Sequence, residues 1–490
     1  MMTRDLLALG PMLITAGGAV VLLLALAVCR SHAFASAWSV LVLAAALAAI
    51  PMTWPGAPAS GDLLNLLAID SWALAFWGII FGSALVVCLL GFEYFRPLAV
   101  QAEEFYVLVL LSATGAAVLA AADHFATVFL GLELLSVSLF ALAAYRRDQA
   151  ISIEAGIKYL VLAGTSSALL LFGLALLYFH TASLRLSGLA GPLLAGHPDT
   201  IALYAGIALV LVAMGFKLGL APMHVWTPDV YQGSPAPVSA LVGSVSKAGA
   251  MAFMVRLAGV TLTGTPGVRN GVFYGLLVLA IASMFTGNLL ALRQPNIKRL
   301  LAYSSIAHMG YCLLAVLPMA AGAALDRQAV FYYMLAHAVS ILGAFGCVCA
   351  ASENGREAQH VEDYRGLAWR RPVLAGVFSL MLLSLAGIPL TAGFLGKFYV
   401  LASGVRNALW LPAVCLVINS GIGLFYYLRV LGTLYQREEA ESPDQFATST
   451  APSALLQPSP QLLLTHLTLA ALVVLLIYFG LMPALASLPM

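Results

Sequence analysis

The sequence predicts an all-α membrane protein of about 14 transmembrane helices, with two inverted five-helix repeats and two proline-broken helices. Three observations lead there. The 490 residues are 62% hydrophobic and only 9% charged, with a mean hydropathy of +0.97, whereas a soluble domain carries about 25% charged residues. The apolar residues form continuous runs of about 17–25 residues, the length a helix needs to cross a bilayer, and not the short alternating segments of a barrel. Two of the runs are interrupted by a proline. Lipid offers the backbone no hydrogen-bond partner, so these runs must close their bonds within helices. Such a composition excludes an ordinary soluble enzyme. A net charge of +2 without a strongly basic stretch excludes a nucleic-acid partner.

In order, the spans read as 7–29, 34–50, 71–92, 105–122, 124–145, 157–180, 201–221, 235–258, 271–291, 298–318, 327–350, 373–403, 409–431 and 462–485. Arg4 precedes a first run too long for the core of a signal peptide, so this run reads as a retained span. The polar stretches 351–372 and 436–461 read as loops. The second is rich in Ser, Pro, Thr and Gln and is expected to be mobile. Numbered alternately, the loops place 13 of the 23 cationic residues on one side and 6 on the other, and the remaining 4 are lysines inside spans. The positive-inside rule makes the first side cytoplasmic and turns both termini outward.

The breaks come at Gly215-Phe-Lys-Leu-Gly-Leu-Ala-Pro222 in the seventh span and at Ser384-Leu-Ala-Gly-Ile-Pro389 in the twelfth. Proline removes a helix hydrogen bond, and the freed backbone must be buried in protein or line a cavity. The breaks lie five spans apart, so the second unit is upside down relative to the first. That arrangement points to a transport pathway at the midplane. The units are 105–260 and 261–435, preceded by N-terminal helices in 1–104 and followed by a loop and a last span in 436–490.

Eighteen of the cations are arginine and five are lysine, the cation whose protonation responds readily to burial. Lys217 stands just before the first break, with His224 just after it. Its structural alternative is a lysine tied to carbonyls freed at the break. Glu133, in Val128-Phe-Leu-Gly-Leu-Glu-Leu-Leu-Ser136, is the acidic residue placed deep in a span and the natural counter-ion of Lys217. Pairing strengthens, and separation weakens, a buried lysine's hold on its proton. Lys247 sits among small residues and serines well inside the eighth span. Ser304 and His308 share a face in the tenth span, and Tyr333, His337 and Ser340 follow the same spacing in the eleventh. A lone histidine is more often a satisfied core residue. Two in adjacent spans with hydroxyl neighbours read as a proton relay. Lys397 follows the second break and reads as a terminal transfer site. Lys158 opens the sixth span, where its ammonium can equally snorkel to the surface. Lys298, beside Arg293 and Arg299, reads as a topology charge.

Six cysteines are scattered, five of them within apolar runs, and Cys347-Val-Cys349 lacks metal-ligand spacing. There is no dinucleotide fingerprint, no phosphate loop and no HExxH. On this evidence the chain binds no metal and no cofactor, and energy for uphill transport must come from another chain or an ion gradient.

Three stretches carry a specific resemblance: Phe216-Lys-Leu-Gly-Leu-Ala-Pro-Met-His-Val-Trp-Thr-Pro-Asp-Val-Tyr-Gln-Gly-Ser-Pro-Ala-Pro237, Asn288-Leu-Leu-Ala-Leu-Arg-Gln-Pro-Asn-Ile-Lys-Arg-Leu-Leu-Ala-Tyr-Ser-Ser-Ile-Ala-His-Met-Gly-Tyr311 and Leu385-Ala-Gly-Ile-Pro-Leu-Thr-Ala-Gly-Phe-Leu-Gly-Lys397. From about residue 60 onward the chain resembles the antiporter-like membrane subunits of respiratory complex I. That resemblance implies the 14-helix fold with inverted repeats. It implies a modulating pair Glu133–Lys217, a central relay at Lys247 and an outlet at Lys397. It implies proton translocation driven by electron transfer from NADH to quinone, with NADH, FMN, iron–sulfur clusters and quinone held by partner subunits. The neighbours would be the antiporter-like subunit M and the small subunits K and J. Lysine rather than glutamate at 397, and an end soon after span 14, favour a member without the long lateral helix of its sisters. His308 stands where some relatives place lysine. The alternative is a subunit of a multisubunit cation/proton antiporter, which shares fold and lysines.

Overall fold

The computed structural model describes residues 6–53, 65–98, 101–194, 201–319, 324–352, 356–437 and 463–481. Each expected span falls on a helix or on a pair of half-helices. They are α1 (Gly10–Val28), α2 (His32–Thr53), α3 (Ser71–Phe95), α4 (Glu103–Ala121), α5 (Phe125–Ala143), α6 (Ala150–Thr181), α7 (Ile201–Leu218), α8 (Trp226–Gly233), α9 (Ala236–Thr261), α10 (Pro266–Ala291), α11 (Ile297–Val316), α12 (Ala324–Ala351), α13 (Pro372–Ala386), α14 (Ala392–Arg406), α15 (Trp410–Tyr435) and α16 (Leu463–Leu481). Nearly all of 436–461, the loop expected to be mobile, lies outside the described residues. Among the described residues the only strand-like pairing is three isolated bridges.

Twelve of these helices are long and apolar enough to cross a membrane. The other two spans are α11 and the broken pair α13–α14. The reason is physical. α11 carries Lys298, Arg299, Tyr303, Ser304, Ser305 and His308, and only Arg299 along its length escapes burial. It is sheltered from lipid, so it does not need an apolar surface. The apolar 18-residue stretch of α9 is likewise wholly buried, whereas only 28% of the corresponding stretch of α16 is. The peripheral helices show apolar side chains such as Phe172, Phe179, Val278 and Phe425 on their outer sides, as lipid or apolar partners require.

Local chemistry sets the ends. Asp70 caps α3 by accepting from Ala73 N, and Asn296 caps α11 by accepting from Lys298 N and Arg299 N. Gly219 (φ +73°) and Gly387 (φ +83°) end α7 and α13 in the left-handed region open to glycine. The twelfth span is therefore two helices meeting at a five-residue joint, 387–391, and not one run. α9 holds a π-helical turn, Val242–Ser246, immediately before Lys247.

The connections close on each other at two faces. On one, the Arg256 guanidinium binds Asp70, Ala68 O and Ala120 O, and Asp123 binds Arg185 and Ser187. On the other, Arg429 holds Leu292 O and Gln294 O, and Asn296 bridges to His360. The second face is the arginine-rich one.

Candidate functional site

Lys217 is the penultimate residue of α7 and is buried. Its ammonium donates to Ser136 Oγ on α5 (2.8 Å) and Tyr159 OH on α6 (3.3 Å). Tyr159 stacks on Trp226 of α8 with ring centroids 4.6 Å apart, and the Trp226 indole donates to Phe216 O (3.0 Å). The tryptophan of the sequence motif thus closes the break. It takes up a carbonyl there and leaves Lys217 to hydroxyls.

The expected Glu133–Lys217 ion pair is not in contact, since no oxygen of Glu133 comes within 4.0 Å of the ammonium among the described ion pairs. Glu133 instead accepts from Ser167 of α6. Glu133 and Ser136 are three residues apart on α5 and hence neighbours on its surface. The carboxylate lies one turn from the hydroxyl that holds the lysine, and it is only half-buried.

Lys247 is completely buried at the end of the π turn. It donates to Ser305 Oγ at 2.6 Å, and Ser305 Oγ lies 3.1 Å from His337 Nε2. A hydroxyl accepts one hydrogen bond while donating another, so Ser305 links ammonium to imidazole. The rings of His337 and His308 are 5.0 Å apart. His308 Nδ1 shares a hydrogen bond with Tyr333 OH (2.7 Å), and its Nε2 lies 3.3 Å from Tyr427 OH, which also bonds Ser304. The two histidines, the serines and the tyrosines come together as one polar line through α9, α11, α12 and α15.

Lys397 extends that line. It lies 5.4 Å from the Tyr311 ring, and Tyr311 packs against His308. Its ammonium donates to Ala386 O (2.7 Å), the last carbonyl of α13, and to Ser420 Oγ (3.1 Å). A lysine bound to a freed carbonyl does occur here, at the second break and not at the first. Beside the second joint, His308, Tyr333, His337, Ser340, Ser384 and Gly393 enclose a cavity of about 10 Å³, room for roughly one water.

Besides Glu133 and Lys217, two more of the sequence-selected residues stand apart from this line. Lys158 is 43% exposed and pairs with Glu154 (2.7 Å) and Asp229 (2.8 Å). His224 sits half-buried in the first joint, with no hydrogen-bond partner at Nδ1. Lys217 and Lys247 share no hydrogen-bond partner.

Lys298 corrects the sequence reading. It is wholly buried and pairs with Glu357 at 2.6 Å, so it is more than a topology charge. Burial alone would raise the Glu357 carboxyl. The Lys298 ammonium, the Tyr94 hydroxyl and the Ala236 amide outweigh it and hold the carboxyl below the usual carboxylate range. Ser136, Tyr159, Ser305 and Tyr427 also escaped selection. Their only sequence signal is a hydroxyl in an apolar run.

No group of three or more His, Cys, Asp or Glu able to hold a metal occurs among the described residues. The arrangement sets nitrogen and oxygen atoms of these side chains at hydrogen-bond distance from one another, the geometry that proton transfer between them requires. It defines a class: a polytopic membrane protein whose buried ionisable groups run between two helix breaks. Residues 122–423, more than half of the chain, match the family described as NADH:quinone oxidoreductase/Mrp antiporter, transmembrane, and the chain belongs to that family. It is similar to a chain of respiratory complex I from Thermus thermophilus, with 32% identity over 97% of this chain and 98% of that one and a TM-score of 0.78. The same fold recurs in a chain of the membrane-bound sulfane sulfur reductase, an archaeal respiratory membrane complex (23% identity, 99% and 96% covered, TM-score 0.79). It recurs again in the Mrp complex from Dietzia sp. DQ12-45-1b (20% identity, 98% and 95% covered, TM-score 0.81).

Proposed function

We propose that this chain is the proton-translocating subunit N of a bacterial NADH:quinone oxidoreductase. It belongs to the complex's membrane arm beside the antiporter-like subunit M and the small subunits K and J. Oxidation of NADH, with FMN and iron–sulfur clusters, and reduction of quinone take place in the partner subunits. This chain contributes proton movement. The arginine-rich face is cytoplasmic and both termini are periplasmic, in the cell inner membrane. Units 105–260 and 261–435 form the two inverted halves around the polar line.

One observation carries the reading: Lys247, Ser305, His337 and His308 meet at hydrogen-bond or ring-contact distance on helices shielded from lipid. A charge change in the neighbouring subunits alters the Glu133–Lys217 interaction. The held-apart geometry, with Glu133 on Ser167 and Lys217 on Ser136, is one of its two states. Lys217 passes its proton across water to Lys247. The proton continues past the histidines and tyrosines and leaves from Lys397. Coupling of this kind is a difference in interaction energy between states. The test uses the complete complex in sealed vesicles, with proton uptake and NADH oxidation measured together. Lys247→Ala and Lys217→Ala are expected to lower the protons moved per NADH, and an unchanged ratio in both overturns the proposal. Sodium-dependent proton exchange without NADH would favour the antiporter reading instead.

A further inference from the structure

One buried charge pair lies outside the polar line. Glu357 belongs to the connection between α12 and α13, and its side chain is 7% exposed while that of Lys298 is 0% exposed. Glu357 Oε1 accepts from the Ala236 amide (2.7 Å) and from Tyr94 OH on α3 (2.5 Å). Its Oε2 accepts from Lys298, and Lys298 also donates to Ser234 O. Ser234 and Pro235 join α8 to α9, whose first residue is Ala236. The two charges therefore grip the joint on both sides of a proline that has no N–H to offer, at the carbonyl before it and the amide after it.

Lys298 and Ser305 are seven residues apart on α11 and so share one face of that helix. Ser305 is the partner of Lys247. α11 thus fastens the segment leading to Lys247 at two points, its start through Lys298 and its lysine through Ser305. Between those points lies the π turn Val242–Ser246, a geometry that is rare and concentrated at functional sites. A displacement of the joint would reach Lys247 through that turn. A buried ion pair adds little net stability, because desolvation offsets the attraction. Placement is the better account of why two charges sit here.

We propose that Glu357 and Lys298 are positioning residues for Lys247: they fix the Ser234–Pro235 joint and so keep the Lys247 ammonium on Ser305. This rests on the proton-transfer reading of Lys247. The experiment compares Glu357→Gln, Lys298→Met and the double variant with Lys247→Ala, each in the assembled complex in vesicles. The readout is protons moved per NADH oxidised, which a smaller amount of intact complex does not change. Each single variant is expected to lower the ratio toward that of Lys247→Ala. The double variant removes the unpaired buried charge, so it assembles even where a single variant does not. It still lacks the Ser234 anchor, so its ratio stays low. A wild-type ratio in the singles, or its return in the double, overturns the inference. A wild-type ratio in Lys247→Ala strikes the proposed function itself.

Discussion

The two helix breaks solve the same problem with opposite use of their lysines. Each follows a glycine with positive φ, Gly219 at the first and Gly387 at the second. At the first, the indole of Trp226 takes up Phe216 O, and Ser283 accepts from Ala221 N. Lys217, on the helix before the joint, is left with side-chain hydroxyls. At the second, Lys397 comes from the helix after the joint and reaches back to Ala386 O. The first lysine is a guest at its break, whereas the second is part of the break's structure. A backbone carbonyl cannot rotate away as a hydroxyl can, so Lys217 is the freer of the two to change partners.

The largest expected difference is therefore one of sign. Lys397→Met leaves Ala386 O buried without its donor, a loss of about 1–3 kcal/mol. Lys217→Met removes a buried charge, and Ser136 can turn to a carbonyl in the preceding turn of its own helix. Thermal unfolding of the purified complex is expected to shift down for Lys397→Met and to hold or rise for Lys217→Met. Equal downward shifts would break the comparison.

The glycines give the next effect. Alanine at either position meets the strain of left-handed backbone, about 1–2 kcal/mol. A Cβ at 387 would also stand 2.8 Å from Lys397 Cδ and 3.1 Å from its Nζ, while one at 219 would meet Thr227 Oγ1 at 2.7 Å. Both Gly387→Ala and Gly219→Ala are expected to lower thermal stability. Only Gly387→Ala is expected also to lower protons moved per NADH, because it alone displaces a transfer lysine.

How much of this was legible in the sequence follows from the same contrast. Span positions were legible, because lipid imposes a length and a composition on each helix. The breaks were legible through Pro222 and Pro389, and the lysines because charge is rare here. What each lysine touches was not. The i, i+4 spacing selected Ser304 with His308, and both do meet at Tyr427. The residue joining Lys247 to His337 is its neighbour, Ser305, and nothing in the spacing separates the two serines. Lys298 lay at the edge of a span beside two arginines, where burial by a distant carboxylate leaves no local mark. The Glu133–Lys217 pair was expected from opposite charge and from the family resemblance, but intervening hydroxyls from α5 and α6 decide its geometry.

The smallest effect sharpens the comparison most finely. Ser136→Ala takes from Lys217 its shorter hydrogen bond and leaves Tyr159 OH at 3.3 Å. A net loss of about 1 kcal/mol in the barrier-setting state corresponds to roughly fivefold in rate. Ser420→Ala takes from Lys397 its longer hydrogen bond, 3.1 Å, and leaves the 2.7 Å bond to Ala386 O. Its effect is expected to stay within about twofold, because the shorter bond to Ala386 O still holds the ammonium. The initial rate of NADH-driven proton uptake measures both. A larger loss in Ser420→Ala than in Ser136→Ala would mean that the carbonyl does not hold Lys397 in place, and that the two breaks handle their lysines alike.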